Sequence, residues 1–390
     1  MPTINRLAEM HDEITAWRRD FHEYPEVLYE THRTAAKVAE ILQEIGVDEV
    51  TTGVGRTGVV GVIKGRNGGA GKSIALRADM DALPMSEETG KEYASKNEGA
   101  MHACGHDGHT AMLLGTAKYL AETRNFDGTV ILVFQPAEEG GAGAKAMMDD
   151  GLFTRWNVDE IYGLHNQPGT PIDHFATRSG PLMASTDEFT ITVKGIGGHA
   201  AYPHNTIDPV VVGSQIVSAL QSIASRNVGP LQSIVISVTF FQAGTAYNII
   251  PDTAKLGGTI RTLNQDVRKQ AAERVKQVVE GVCAANGAGV DFEFNDGYPS
   301  TSNHPEQTKF ATQIAAEIAG NADKVDENIE PTMGGEDFAY YLEEKPGAFI
   351  FLGNGDTAGL HHPKYDFNDE AIPYGCSYFI KLVETAMPAT

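Results

Sequence analysis

Ser73-Ile-Ala-Leu-Arg-Ala-Asp-Met-Asp81 reads as a short buried strand that releases two carboxylates, Asp79 and Asp81, at its carboxyl end. Two later stretches repeat the pattern. Thr129-Val-Ile-Leu-Val-Phe134 runs into Gln135-Pro-Ala-Glu-Glu139, and Glu160-Ile-Tyr-Gly-Leu164 runs into His165. Segments with helical spacing separate these strands, which predicts an open α/β sheet. Ligands of such sheets collect beyond the carboxyl ends of the strands, where the acidic and imidazole groups fall.

Between the first two strands lies His102-Ala-Cys-Gly-His-Asp-Gly-His109, a thiol, three imidazoles and a carboxylate in eight residues. A thiolate and an imidazole two positions apart are good ligands for Zn²⁺ or a similar divalent metal. Ala111, Leu113, Leu114, Ala117 and Leu120 follow at helical spacing, so the cluster is expected in the turn feeding a helix N-terminus. Such a position should favour the Cys104 thiolate. Taken alone, the stretch has a plainer alternative reading, a buried cysteine with surface histidines near a helix cap.

Working outward, Met1 to Phe21 and Thr34 to Ile45 have amphipathic helical spacing, the second ended by Gly46. Val59 to Lys64 is a further strand, joined to Ser73 by Gly65-Arg-Asn-Gly-Gly-Ala-Gly-Lys72. The joint has the look of a phosphate loop, but its leading glycine is out of register and a strand follows, so a hairpin turn is expected. From Asp187 the order changes to strand 187–194, helix 207–226, strands 233–241 and 253–262, helix 265–286 and strand 290–295. That βαββαβ order is a complete ferredoxin-like unit. It predicts an inserted domain over 186–297 within a discontinuous one of 1–185 and 298–390. Beyond it come helices 306–319 and 336–343 and the apolar strand Gly347 to Leu352, then Leu360-His361-His362-Pro363; Asn368 or Asp369 can cap the last helix.

A chain of 390 residues is long for a single core, which favours two domains. Its 52 acidic against 30 basic residues, net −22, argue against nucleic acid and anionic membrane surfaces as partners. No run approaches the ~20 apolar residues of a membrane span, and the N-terminal segment lacks the apolar core of a signal peptide. The three cysteines, Cys104, Cys283 and Cys376, are scattered, which points to a reducing, cytoplasmic enzyme.

Collecting the strand-end groups gives Cys104, His106, Glu138, Glu139, His165 and one of His361 and His362. That is too many ligands for one catalytic cation, so a pair is expected, an arrangement suited to hydrolysis. Adjacent side chains point apart, so one glutamate should bind metal while its neighbour shuttles a proton from water to a leaving nitrogen.

Arg77-Ala-Asp-Met-Asp-Ala-Leu-Pro84, His102 to His109, Gln135 to Glu139, Gly163-Leu-His-Asn166, Gly197-Gly-His-Ala-Ala201, Asn248-Ile-Ile-Pro251, Gly334-Gly-Glu-Asp-Phe338 and Leu360-His361 together resemble the M20 metallopeptidase family. Within it they are similar to the amidohydrolase branch, which includes hippurate hydrolases, N-acyl-amino-acid aminoacylases and plant auxin-conjugate hydrolases. The resemblance implies two divalent ions (Zn, Mn, Co or Ni) held by Cys104, His106, Glu139, His165 and His361, with Glu138 as general base. It prefers His361 to His362 through the pattern Leu-His-x-Pro. It implies a homodimer through the smaller domain, with His199 lent to the partner's active site and Asn248 and Arg261 holding the substrate carbonyl and carboxylate. The peptidases of the family carry His-x-Asp where this chain has Asp79-Met-Asp81. Cys104 would compensate, and Asp81 would orient a ligand. The implied reaction is hydrolysis of the amide of a small-molecule N-acyl amino acid. The rivals are a dipeptidase or carboxypeptidase with the same machinery and, more remotely, a metal-binding protein without catalysis.

Overall fold

A computed structural model describes residues 3–390, so Met1 and Pro2 of the expected first helix lie outside the described residues. The chain divides into two compact units. One combines Met1–Gly180, Ser302–Glu330 and Asp337–Thr390, and the other Pro181–Thr301 and Pro331–Glu336.

The larger unit is an α/β sheet of eight strands, in the order Glu49–Val54, Gly58–Lys64, Thr129–Gln135, Ser73–Asp79, Glu160–Gln167, Gly347–Gly353, Phe175–Ala176 and Val325–Asp326. Thr129–Gln135, Ser73–Asp79, Glu160–Gln167 and Gly347–Gly353 run parallel to one another at its centre. Their near-continuous apolar sequence fits strands covered on both faces. The expected hairpin at Gly65–Lys72 is not formed. Thr129–Gln135 slots between the two strands it joins, antiparallel to Gly58–Lys64 and parallel to Ser73–Asp79. A local reading finds the turn residues but not the distant strand that pairs between the two.

Helix His106–Thr123 is buried along almost its whole length, against helices Asn5–Glu23 and Ile372–Ala386 and strand Ser73–Asp79. Gly115 permits that approach: a Cβ there would meet Ile14 Cδ1 at 2.6 Å and Cys376 Sγ at 2.9 Å. The helix starts at His106 rather than after the Cys-His cluster, because Gly105 takes a left-handed φ of 89° and serves as the N-cap. Before the last helix, Asn368 accepts from the Glu370 N–H, whereas Asp369 pairs with Arg18 and Arg19.

The smaller unit has a four-stranded antiparallel sheet in the order Ile234–Ala243, Thr253–Thr262, Asp187–Lys194, Gly289–Asn295, the ferredoxin-like arrangement. Along Asp187–Lys194 buried and more exposed residues alternate, placing Phe189, Ile191 and Val193 in one core. Helix Pro209–Ser222 adds Val212, Ile216 and Leu220. Helix Gln265–Ala285 adds Ala271, Val275, Val279 and Cys283, a stripe of four residues spaced four apart. Asn264 starts the second helix by accepting the N–H groups of Asp266 and Val267, a cap worth about 1 kcal/mol. The segment expected as one helix to Arg226 stays α-helical to Ser222 and then widens into a π-turn, Ile223–Asn227. All three cysteines are buried and unpaired, with Cys283 in this core and Cys376 in that of the larger unit.

Candidate metal centre

The parallel strands and the start of helix His106–Thr123 bring Cys104, His106, Glu138, Glu139, His165 and His361 to one edge of the larger unit's sheet. Their candidate ligand atoms fall into overlapping triads: Cys104, His106 and His165; Cys104, Glu139 and His361; His106, Glu138 and Glu139. Within each triad these atoms lie within 4.8 Å of one another. Cys104 Sγ is 3.4 Å from His165 Nε2, and His361 Nε2 is 3.3 Å from Glu139 Oε1. His362 stays outside, its Nδ1 accepting from the Lys364 N–H. His361 takes a left-handed φ of 61°, and its own N–H donates to the Ala103 carbonyl, which ties its loop to the Cys104 loop.

Two of the three imidazoles are anchored by one nitrogen. His106 Nδ1 donates to the Asp81 carbonyl at 2.8 Å, and His165 Nδ1 to the Asn166 carbonyl at 2.8 Å. His106 Nε2 is then buried with no hydrogen-bond partner among the described residues, and Glu139 Oε1 has no well-aligned one, its nearest charged neighbour being His361 Nε2 at 3.3 Å. Buried polar atoms are rarely left so, and two of them converging beside a thiol and a second imidazole fit a thiophilic divalent cation. The Asp81 carboxylate accepts the backbone N–H groups of both Glu138 (2.9 Å) and Glu139 (3.1 Å), which pins the glutamate pair in place. Asp81 thus acts on His106 through its carbonyl and on the glutamates through its carboxylate.

The electrostatics favour positive charge here. Burial opposes a charged His106 ring, yet Asp79, Asp81 and Glu139 outweigh it and raise the ring to about 10. Burial would also raise Glu139, but His361, His106 and Cys104 hold it below the usual carboxylate range. The expected thiolate bias at Cys104 is overturned. Burial, reinforced by Glu139 and Glu138, pushes its thiol well above the usual range, so desolvation exceeds the helix-terminus effect. A cation among these atoms reverses that sign, since coordination deprotonates a thiol outright.

Two residues that sequence reasoning left unassigned are Asp79 and His109. His109 Nδ1 donates to Asp79 Oδ1 at 2.6 Å, and its Nε2 accepts from the Asn166 N–H at 3.0 Å, so both ring nitrogens are committed. Asp79 also receives Arg77 Nη1 at 2.6 Å, and burial notwithstanding it is held well below the usual carboxylate range by His106, Arg77 and His109. The signal was present in Arg77-Ala-Asp79, a buried charge pair in alternate strand positions. Of the substrate-binding candidates, all in the smaller unit, His199 and Asn248 are exposed neighbours: the Ala200 N–H donates to the Asn248 carbonyl at 3.0 Å. Arg261 lies in strand Thr253–Thr262.

Residues 75–385 match the model of Peptidase family M20/M25/M40. The chain is 43% identical over 382 residues to a hippurate hydrolase of Campylobacter jejuni, covering 98% of each protein. It is likewise 43% identical over 367 residues to thermostable carboxypeptidase 1 of Saccharolobus solfataricus, covering 93% of this chain and 91% of that one. A dinuclear metal binding peptidase of the M20 family from Bacillus subtilis superimposes with a TM-score of 0.85 at 37% identity, over 97% of this chain and 99% of that one. With the strand-edge cluster of thiol, imidazole and carboxylate already in place, these likenesses show that the chain belongs to peptidase family M20, as a metal-dependent amidohydrolase or peptidase.

Proposed function

We propose that the protein hydrolyses the amide bond of N-acyl amino acids, with Glu138 as general base. The observation that carries this is the grip of Asp81 on both glutamate backbones, beside a buried His106 Nε2. Cys104, His106, Glu139, His165 and His361 would hold two divalent cations, which supply Lewis-acid polarisation of the scissile carbonyl and acidify water. Glu138, 7% exposed, takes a proton from the attacking water and hands it to the leaving nitrogen. Asp81 fixes where that carboxylate starts. The hippurate hydrolase likeness supports an acyl amino acid as substrate.

Glu138→Gln tests the reading. Turnover of N-acetyl- and N-benzoyl-amino acids should fall at least ~10²-fold while metal content stays at the wild-type level. Wild-type turnover in that variant rejects Glu138 as the base, and chelator-insensitive turnover rejects the metal. The equal identity to a carboxypeptidase favours one rival, a dipeptidase or carboxypeptidase on the same centre. Comparing dipeptide and acyl-amino-acid rates on one preparation separates the two.

The same reading includes a homodimer through the smaller unit, with His199, Asn248 and Arg261 contacting substrate. Its support is the distribution of exposed large apolar side chains: Ile196, Tyr202, Val210, Val211, Leu231, Val235, Phe240, Phe241, Tyr247 and Ile249 all lie there, against only Leu360 among the described residues of the other unit. Three unpaired thiols and a net charge of −22 support a cytoplasmic enzyme with no nucleic-acid partner. No helix among the described residues is long and apolar enough to cross a membrane.

A further inference from the structure

The proposed ligands sit on separate elements: Cys104 on a loop, His106 on the helix it leads into, and His165 on strand Glu160–Gln167. One residue ties the loop to the strand. Asn166, 1% exposed, commits every polar group it has. Its N–H donates to His109 Nε2 (3.0 Å) and its Nδ2 to the Cys104 carbonyl (2.6 Å), while its Oδ1 accepts from the Tyr365 hydroxyl (2.7 Å) and its carbonyl from His165 Nδ1 (2.8 Å). The fit is close enough that a Cβ on Gly105 would stand 2.2 Å from Asn166 Nδ2 and 2.5 Å from the Tyr365 oxygen.

His109 determines which way this clasp points. Because its Nδ1 donates to Asp79 Oδ1, its Nε2 carries the lone pair and can only accept. It is therefore a fixed acceptor for the Asn166 N–H rather than a fourth imidazole ligand. Arg77 in turn holds the second oxygen of Asp79 at 2.6 Å.

We infer that Asn166, oriented by His109 and Tyr365, is the positioning residue that sets the separation of Cys104 from His165. This rests on the reading that the cluster holds metal. Tethered at Nδ1, His165 has one rotation that leaves Nε2 facing the Cys104 sulfur, 3.4 Å away. Among the described residues, the Asn166 amide on the Cys104 carbonyl and the direct approach of Cys104 to His165 are the side-chain hydrogen bonds between that loop and that strand. Functional constellations tolerate about 0.5 Å of misplacement, and partners that orient metal ligands are worth about 10- to 100-fold in metal affinity.

The test uses the full chain titrated with Co²⁺, reading the cobalt–thiolate absorption band, the dissociation constant by chelator competition, and thermal melting of the metal-stripped protein. Asn166→Asp replaces the donor facing the Cys104 carbonyl with an acceptor, and His109→Leu removes the acceptor for the Asn166 N–H. Both should weaken cobalt binding about 10- to 100-fold and shift or abolish the band. His109→Gln, whose amide can donate to Asp79 and accept from Asn166, should recover most of the loss. Tyr365→Phe, which changes no volume to speak of, should move the band in the same direction with a loss of up to ~10-fold, and it serves if His109→Leu fails to fold. A purely structural role predicts lower melting with the wild-type band and affinity in whatever remains folded, and that result overturns the inference. A wild-type chain that takes up no cobalt overturns both this and the metal reading. Wild-type uptake with unaltered variants overturns this one alone.

Discussion

Arg77→Met tests how far the centre depends on charge buried beneath it. The Arg77 guanidinium is 1% exposed and spans Asp79 (2.6 Å), Asp337 (3.0 Å) and Gln135 Oε1 (2.9 Å). Methionine fills much of the same volume but leaves two interior carboxylates without their shared cation, and breaking a buried pair from one side costs about 3–5 kcal/mol. The lower end applies, because both acids keep other donors: His109 on Asp79, and Gln135 and the Ala144 N–H on Asp337. Even ~3 kcal/mol is a third or so of a typical domain's stability. Both tryptophans, Trp17 and Trp156, lie in the larger unit, so urea unfolding followed by their fluorescence reads this unit alone. A folded-state carboxylate pKa held low contributes stability above the unfolded value near ~4 that is lost as pH falls through the lower one. Asp79 is such a group, so the difference between wild type and variant should shrink below pH ~4. A deficit under ~1 kcal/mol at neutral pH, with an unchanged denaturant slope, would refute the assignment of Arg77 as the counter-charge.

His22 makes a pH-dependent contribution of the opposite sense. Burial disfavours its charged ring, but Asp107 at 2.8 Å and Glu87 at 3.3 Å outweigh that and raise it to about 9. The stability it confers is complete below the unfolded value near ~6.5 and fades as pH rises through about 9, by up to ~3 kcal/mol. Unfolding curves of wild type and His22→Gln that stay parallel from pH 6 to 10 would exclude it. His199→Ala should lower turnover while leaving metal content and the proposed dimer intact, and a fully active monomer by light scattering would remove the smaller unit from the reaction.

The central strands and the residue types that gather at the candidate centre were legible because burial on both faces of a parallel strand forces continuous apolar runs, and a thiol two residues from an imidazole has few uses. Glu49–Val54 was missed: its Glu-Val-Thr-Thr-Gly-Val sequence is largely exposed, and it is a strand only because Gly58–Lys64 offers it a ladder. The two-residue strands Phe175–Ala176 and Val325–Asp326 carry no period at all. Asn166 was invisible as a clasp because its partners, at 104, 109 and 365, are brought together only by the sheet and its loops. Cys104 was misjudged electrostatically because a helix terminus can be read from sequence, whereas the desolvation that opposes it cannot.

The three buried thiols are not equally sealed. Cys283 and Cys376 are 1% and 0% exposed inside apolar cores, and burial pushes Cys376 up to about 12, whereas Cys104 retains 7%. Of the three, Cys104 is the sulfur an alkylating reagent reaches first, slowly, because burial and the neighbouring glutamates keep it protonated, and it is also the one a cation would cap. The lag in its labelling becomes a clock for occupancy, and an experimenter who knows neither the acyl group nor the amino acid can still count filled sites.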